Sequence, residues 1–375
     1  MILTLAFRNL FHDRIRLVVT LVGILFSIVL VAVQLGLYLG STRMIQGMIN
    51  HSNAQLWITP YGTSSFEENS LMDGRENNTA MAVAGVARVV PIIAAFVRWR
   101  KPAGGNTLSV LIGTDASDGG LIPWNIVKGS IDDISLPDGV AVDKSYLKEL
   151  GIAGLGSRAQ VLDRRVRVRA LTDGIRSFTR SPYIFTTLSR ARSIIHATSD
   201  QASFYLVQLT PGADPQAVLT ELRARLPDVE VLTRQAFGAR ALQHWLFKTG
   251  AGIALIGGAV LGLVVGTVIV AQTLYSSTKD HLNEFATLRA LGSSKGYIYR
   301  VILAQAGLSG FVGYVLGMSV AMFVVYLSQG SALSMVMTPN LALGLLALTL
   351  GMSTISAVGA ITKVMRIDPA MVFSR

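Results

Sequence analysis

The sequence predicts an α-helical membrane protein with four transmembrane helices, one before and three after an extracytoplasmic α/β domain that bears a small β-rich insertion. Three observations lead there. Apolar residues make up 51% of the chain and charged residues 15%, against about 25% charged in ordinary soluble domains. No Asp, Glu, Lys or Arg occurs from Leu17 to Thr42, from Thr249 to Thr278 or from Val301 to Thr362. The net charge of +11 is concentrated beside those runs. Residues 1–16 carry three basic and one acidic residue, 279–300 four and two, and 363–375 three and one. That distribution follows the positive-inside rule and excludes a phosphate-binding groove, so nucleic acid is not expected as a partner.

The elements follow in order. Residues 1–16 form a cytoplasmic segment in which Leu3, Ala6, Phe7, Leu10 and Phe11 recur at helical spacing beside Arg8, Arg14 and Arg16. A basic amphipathic helix of this kind lies in the inner headgroup layer, in contact with lipid. A helix needs about 20 apolar residues to cross the hydrocarbon core, which places spans at 17–40, 249–276, 301–327 and 341–362. The first is too long for a cleaved signal and lacks a small-x-small site, so it is read as a retained anchor. A polar, helix-poor stretch at 328–340 separates the last two as a short extracytoplasmic loop. Segments 277–300 and 363–375 are then cytoplasmic, with both termini inside, and 41–248 is extracytoplasmic.

Within that domain, Gln55–Thr59, Arg88–Trp99, Thr107–Ile112, Phe204–Leu209 and Val229–Leu232 read as strands, and 60–78 as a polar loop. The second and third strands are joined at Pro102-Ala103-Gly104-Gly105. Asp214 before Pro215 marks a helix start. Residues 140–200 form the β-rich insertion, in which Val166, Val168 and Ala170 alternate with Arg165, Arg167 and Arg169. Gly151, Gly154 and Gly156 have the wrong spacing for a dinucleotide loop and are read as a turn. Residues 236–248 are expected to continue the second span upward as a helical stalk. In that span Gly250, Ala254, Gly258, Gly262 and Gly266 fall at every fourth position. Gly258, Gly262 and Gly266 are the candidate helix-packing residues, since small residues let membrane helices approach closely.

Catalytic and cofactor signals do not appear. There is no G-x-x-x-x-G-K-[ST], no H-E-x-x-H and no G-x-S-x-G. His12, His51, His196, His244 and His281 show no metal-ligand spacing, and the chain has no cysteine. The spans lack the ionisable groups that ion-coupled carriers place near the midplane. The chain is therefore not expected to be an enzyme or to hold a cofactor or metal, and its energy must come from elsewhere.

The loop after the second span reads Lys279-Asp280-His281-Leu282-Asn283-Glu284-Phe285-Ala286-Thr287-Leu288-Arg289-Ala290-Leu291-Gly292-Ser293-Ser294. Leu282, Phe285 and Ala286 make a helical stripe, and Gly292 fits a C′ stop. Glu284 and Arg289, five residues apart, point about 140° away from each other on a helix and form no pair with one another. The run Glu284-x-Ala286-x-Leu288-Arg289-Ala290-Leu291-Gly292-x-Ser294 resembles the signature after the second helix of the FtsX/MacB-type ABC permease family. Phe7-Arg8-Asn9-Leu10 with Arg14, Arg16 and Val22-Gly23-Ile24 is similar to that family's N-terminal entry. Ile367-Asp368-Pro369-Ala370-x-Val372-Phe373 resembles the C-terminus of its DevC-like branch.

The resemblance implies that Glu284, Ala286, Leu288, Arg289, Ala290, Leu291, Gly292 and Ser294 form a coupling helix docked on a separate ATPase, which would carry ATP and Mg. It further implies a second permease copy as a homodimer and a periplasmic adaptor, in tripartite export from the inner membrane. The alternative within the family is an FtsX-like transmitter that activates cell-wall hydrolases without moving cargo.

Overall fold

The computed structural model describes residues 2–68, 70–115, 119–280, 284, 287, 293–328 and 335–364. In chain order the elements begin with α1 (Ile2–His12), α2 (Arg14–Asn50), β1 (Leu56–Pro60), α3 (Arg75–Met81), β2 (Val86–Arg100), β3 (Asn106–Gly113), β4 (Ile126–Lys128) and β5 (Gly139–Asp143). There follow α4 (Leu147–Leu150), β6 (Arg158–Val161), β7 (Arg164–Thr172), β8 (Tyr183–Thr186), α5 (Leu188–Ile195), β9 (Phe204–Leu209), α6 (Pro215–Arg225) and β10 (Val229–Thr233). The chain continues through α7 (Arg234–Leu242), a π-helical stretch Gln243–Lys248, and α8 (Ala251–Asp280). Last come α9 (Lys295–Ser328) and α10 (Pro339–Val364). Two compact units result. One holds residues 1–39, 253–329 and 334–375, the other 40–252 and 330–333.

In the first unit α2, α8, α9 and α10 are each long and apolar enough to cross a membrane. Small residues let them pack closely. Ile24 and Ile28 of α2, four residues apart and fully or nearly fully buried, sit where side chains on Gly313 and Gly317 of α9 would stand. A Cβ on Gly313 would lie 2.5 Å from Ile24 Cγ2, and one on Gly317 2.9 Å from Ile28 Cβ. Ser356 Oγ donates to Thr267 O at 2.9 Å, tying α10 to α8, and Tyr314 Oη donates to Ala342 O at 2.9 Å, tying α9 to α10. Apolar side chains such as Phe26, Val264, Val268, Phe323 and Ile355 remain exposed. An exposed apolar surface of this extent is what a lipid environment covers.

The second unit is built on a ten-stranded sheet in the order β10-β1-β9-β2-β3-β8-β5-β7-β4, with β6 pairing both β2 and β7. In its first lobe β1 runs antiparallel to β9 on one side and β10 on the other. The β9–α6–β10 segment is thus a split β-α-β unit. Asp214 caps α6 by accepting from Gln216 N, with Pro215 at the first helical position. Leu56, Ile58, Val207, Leu222 and Val231 form this lobe's main core. Trp57, Phe66, Phe204 and Phe237 cluster on the other face at ring separations of 5.3–6.2 Å.

The insertion is a closed barrel. β2 pairs β3, β3 pairs β8, β8 pairs β5, β5 pairs β7, β7 pairs β6, and β6 returns to β2. Its interior is filled by Val97, Trp99, Leu111, Val140, Val161, Val166, Val168 and Ile184. Filling by side chains is the rule for small barrels, and closure removes the exposed strand edges that invite aggregation. The barrel draws on β2 and β3 as well as on the 140–200 stretch, because the outer half of the long β2 turns its odd-numbered side chains into the same core.

The stalk departs from the continuous helix expected of residues 236–248. After α7 the backbone widens into π turns, and Gly250 follows with φ of +81° before α8 begins. A left-handed residue there interrupts the helix, and glycine adopts it without steric cost. Gly250, although in register with Gly258 and Gly262, would meet nothing within 4 Å if given a Cβ. Ala254 is exposed. The packing stripe therefore begins at Gly258.

Candidate coupling segment

The helix that feeds the segment is α8, and its glycine stripe faces α2. A Cβ on Gly258 would lie 2.6 Å from Gln34 Nε2, and one on Gly262 3.1 Å from Leu30 Cδ2 and Val31 Cγ2. One on Gly266 would collide with Ser27 Oγ. Ser27 Oγ donates to Gly262 O at 2.7 Å, a bond that close backbone approach makes reachable. Gly258, Gly262 and Gly266 thus share one face, turned to the first span of the same chain.

At the C-terminal end of α8, Asp280 Oδ2 accepts from Arg16 Nη2 at 2.5 Å, and Arg16 also lies 3.4 Å from Asp13. Thr20 Oγ1 donates back to Arg16 O at 2.8 Å. The start of α2 is in this way tied to the last turn before the segment. Nothing in the sequence pairs Arg16 with Asp280, because 264 residues separate them.

Of the candidate coupling residues, Glu284 is helical and exposed. Ser294 caps α9, its Oγ accepting from Tyr297 N at 3.3 Å. Ala286, Leu288, Arg289, Ala290, Leu291 and Gly292 lie outside the described residues, as does the C-terminal Ile367–Phe373 motif. Among the described residues no group of three His, Asp or Glu side chains is placed to hold a metal ion.

In the second unit, the loop after β1 braces the stalk against the barrel, a role that reading it as a polar connector missed. Glu67, 7% exposed, accepts from Ser177 Oγ at 2.7 Å, Thr179 Oγ1 at 2.6 Å and Tyr183 Oη at 2.5 Å. Burial, then the Glu67 charge, pushes the Tyr183 phenol well above its ordinary value. The next residue, Glu68, lies 3.1 Å from His244 Nε2 in the π-helical stretch. Arg240 of α7 donates to both carboxylate oxygens of Glu230, at 2.6 and 3.1 Å. That hydrogen bonding is the main reason the Glu230 carboxyl sits below its ordinary range. Adjacent glutamates therefore hold the stalk and the barrel to one short loop.

A four-span membrane protein with a mixed α/β domain between its first and second spans defines the class. Residues 17–225 match the model of the MacB-like periplasmic core domain, and 256–369 match that of the FtsX-like permease C-terminal domain. The chain belongs to the FtsX/MacB-type family, whose members are membrane permeases of ABC transporters. Among solved structures it is similar to the periplasmic region of MacB from Actinobacillus actinomycetemcomitans, at 13% identity over 50% of this chain and 92% of that one, TM-score 0.38. It is also similar to the extracellular domain of the noncanonic ABC-type transporter YknZ from Gram-positive bacteria, at 14% identity over 48% and 99%, TM-score 0.35. A domain of a permease protein from Porphyromonas gingivalis follows at 14% identity over 48% and 89%, TM-score 0.32. No curated protein sequence matches the chain.

Proposed function

We propose that this chain is the permease subunit of an export complex in which a separate ATPase docks on residues 284–294 and drives the extracytoplasmic domain. ATP closure displaces the segment, α8 follows, and the motion enters the domain through Gly250 and the stalk. The observation that carries the reading is the position of the coupling signature, directly after α8 and inside the region matching the FtsX-like C-terminal domain. A second permease copy, a periplasmic adaptor, the DevC-like branch, an inner-membrane location and cytoplasmic termini belong to the same proposal. Cytoplasmic termini are supported by the basic surplus beside the spans.

The test is the double variant Glu284→Ala, Arg289→Ala, reconstituted with the partner ATPase. Glu284 is exposed, and exposed substitutions usually cost within about 0.5 kcal/mol. The thermal midpoint of the double variant is the check on folding, and cargo-stimulated hydrolysis or ATPase co-purification should fall. Lys295→Ala, close by but outside the signature, is the control. Coupling equal to wild type in the double variant would refute the assignment.

A further inference from the structure

The outer face of the barrel carries arginines that the coupling reading leaves unused. On β7, Arg165, Arg167 and Arg169 alternate with the buried Val166 and Val168. Arg167 is opposite Arg158 of β6, and Arg165 is opposite Gln160. Gln160 in turn is opposite Arg100 of β2, two residues from Arg98. Paired residues share a face and alternate residues return to it, so Arg98, Arg100, Arg158, Arg165, Arg167 and Arg169 stand together outside the barrel. The first four are exposed and the last two half-buried. Among the described residues the only ion pair in this group joins Arg169 to Asp138 at 3.2 Å. Arg158 directly opposite Arg167 is a like-charge cross-strand pair, an arrangement that opposes folding. Phe96 and Leu108 share the face and are 46% and 56% exposed, and Leu108 is the cross-strand partner of Arg98.

We propose that this face docks an acidic segment of a partner protein, one that sets carboxylates around an apolar side chain. Guanidinium groups match carboxylates in bidentate geometry. Exposed Phe and Leu amid arginine match the composition of protein interfaces, where aromatic residues and Arg are enriched and Lys is depleted. The barrel strands are already paired on both sides here, so the partner engages side chains and adds no strand. At ~4.8 Å per strand, β3, β2, β6 and β7 together span about 15 Å. Such a patch is well below the ~800 Å² per partner of a stable complex. The contact is transient and weakened by salt.

The experiment uses the full chain in neutral-lipid nanodiscs, with a fluorescein-labelled peptide of alternating Glu and Thr and one central Phe as probe. Binding should fall by about tenfold in the Arg98→Gln, Arg158→Gln, Arg165→Gln variant and weaken as salt is raised. Phe96→Ser should weaken binding without changing the salt dependence, and Arg75→Gln on α3 should change nothing. The corresponding triple Arg→Lys variant keeps the charge and should bind with intermediate strength, which separates loss of the face from loss of the fold. Unchanged binding by the triple Gln variant would overturn the proposal. So would equal binding of a peptide with Lys for Glu, or displacement of the probe by phosphatidylglycerol vesicles as efficiently as by unlabelled peptide. Self-association of the wild type that the triple Gln variant abolishes would assign the face to a second copy instead.

Discussion

Removing the Glu67 carboxylate should loosen the extracytoplasmic domain by an amount the geometry bounds. In Glu67→Ala three hydroxyls lose their common acceptor, but Ser177 and Thr179 keep each other at 2.8 Å. The Tyr183 hydroxyl, buried beneath the loop, is left with only the Ser177 hydroxyl as a neighbour, and an under-satisfied buried donor costs about 1–3 kcal/mol. Losing charge-assisted bonds to the other two hydroxyls adds a similar amount, and release of the carboxylate's desolvation penalty offsets part of it. The net is ~3 kcal/mol, or about 6–12 °C in the midpoint of a domain of this size. All four tryptophans, Trp57, Trp99, Trp124 and Trp245, belong to this unit. Selectively excited tryptophan fluorescence of the detergent-purified protein therefore reports its unfolding without a contribution from the spans. Adding Tyr183→Phe to Glu67→Ala should recover about 1 kcal/mol, because the under-satisfied hydroxyl is then gone. A shift below about 2 °C for Glu67→Ala would refute this account, as would a double variant no more stable than the single.

Further outcomes are expected. Gly262→Leu should destabilise the span bundle by about 1–3 kcal/mol through overpacking against Leu30 and Val31, seen as earlier thermal aggregation in size-exclusion runs. Gly257→Leu, with nothing within 4 Å of its Cβ, should behave as wild type. The Glu230 carboxyl is held below its unfolded value near 4.5, chiefly by Arg240. Its contribution is thus present above that pH and lost as the pH falls through the folded value. Glu230→Gln should lower the thermal midpoint at neutral pH and lose less on acidification. A cysteine at Tyr61, 78% exposed in a chain with none of its own, should react with an impermeant maleimide from outside the inner membrane. Reaction from the cytoplasmic side alone would reverse the orientation.

Features set by short-range chemistry were legible in the residues, while those set by distant partners were not. Charge-free runs mark α2, α8, α9 and α10, because burying an unpaired charge in hydrocarbon is expensive wherever it occurs. Asp214-Pro215 announces α6, and Gly151, Gly154 and Gly156, all at positive φ, make the turn their spacing suggested. Closure of the barrel escaped notice, since β3 lies parallel to β8 across a long stretch of chain and β6 meets β2 through only two residue pairs. Glu67 looked like any loop glutamate, for its three hydroxyl donors are at least 110 residues away. The glycine stripe is visible in the residues as small side chains at helical spacing, but the spacing alone does not say that Gly250 bends the backbone while Gly258 meets Gln34. All eight coupling residues were assigned by resemblance, and of them only Glu284 and Ser294 have a described setting.

The fifteen residues of β2 serve both lobes, the first part bonded to β9 and the remainder to β3 and β6. Antiparallel hydrogen bonds run perpendicular to their strands, so tension applied along β2 loads the bonds on both flanks in shear and at once. A force of that direction has no single bond to break first, whereas a peeling force opens a ladder one rung at a time. β2 is in mechanical terms a beam shared by two structures. A pull directed along β2 therefore loads the ladders of the first lobe and of the barrel together.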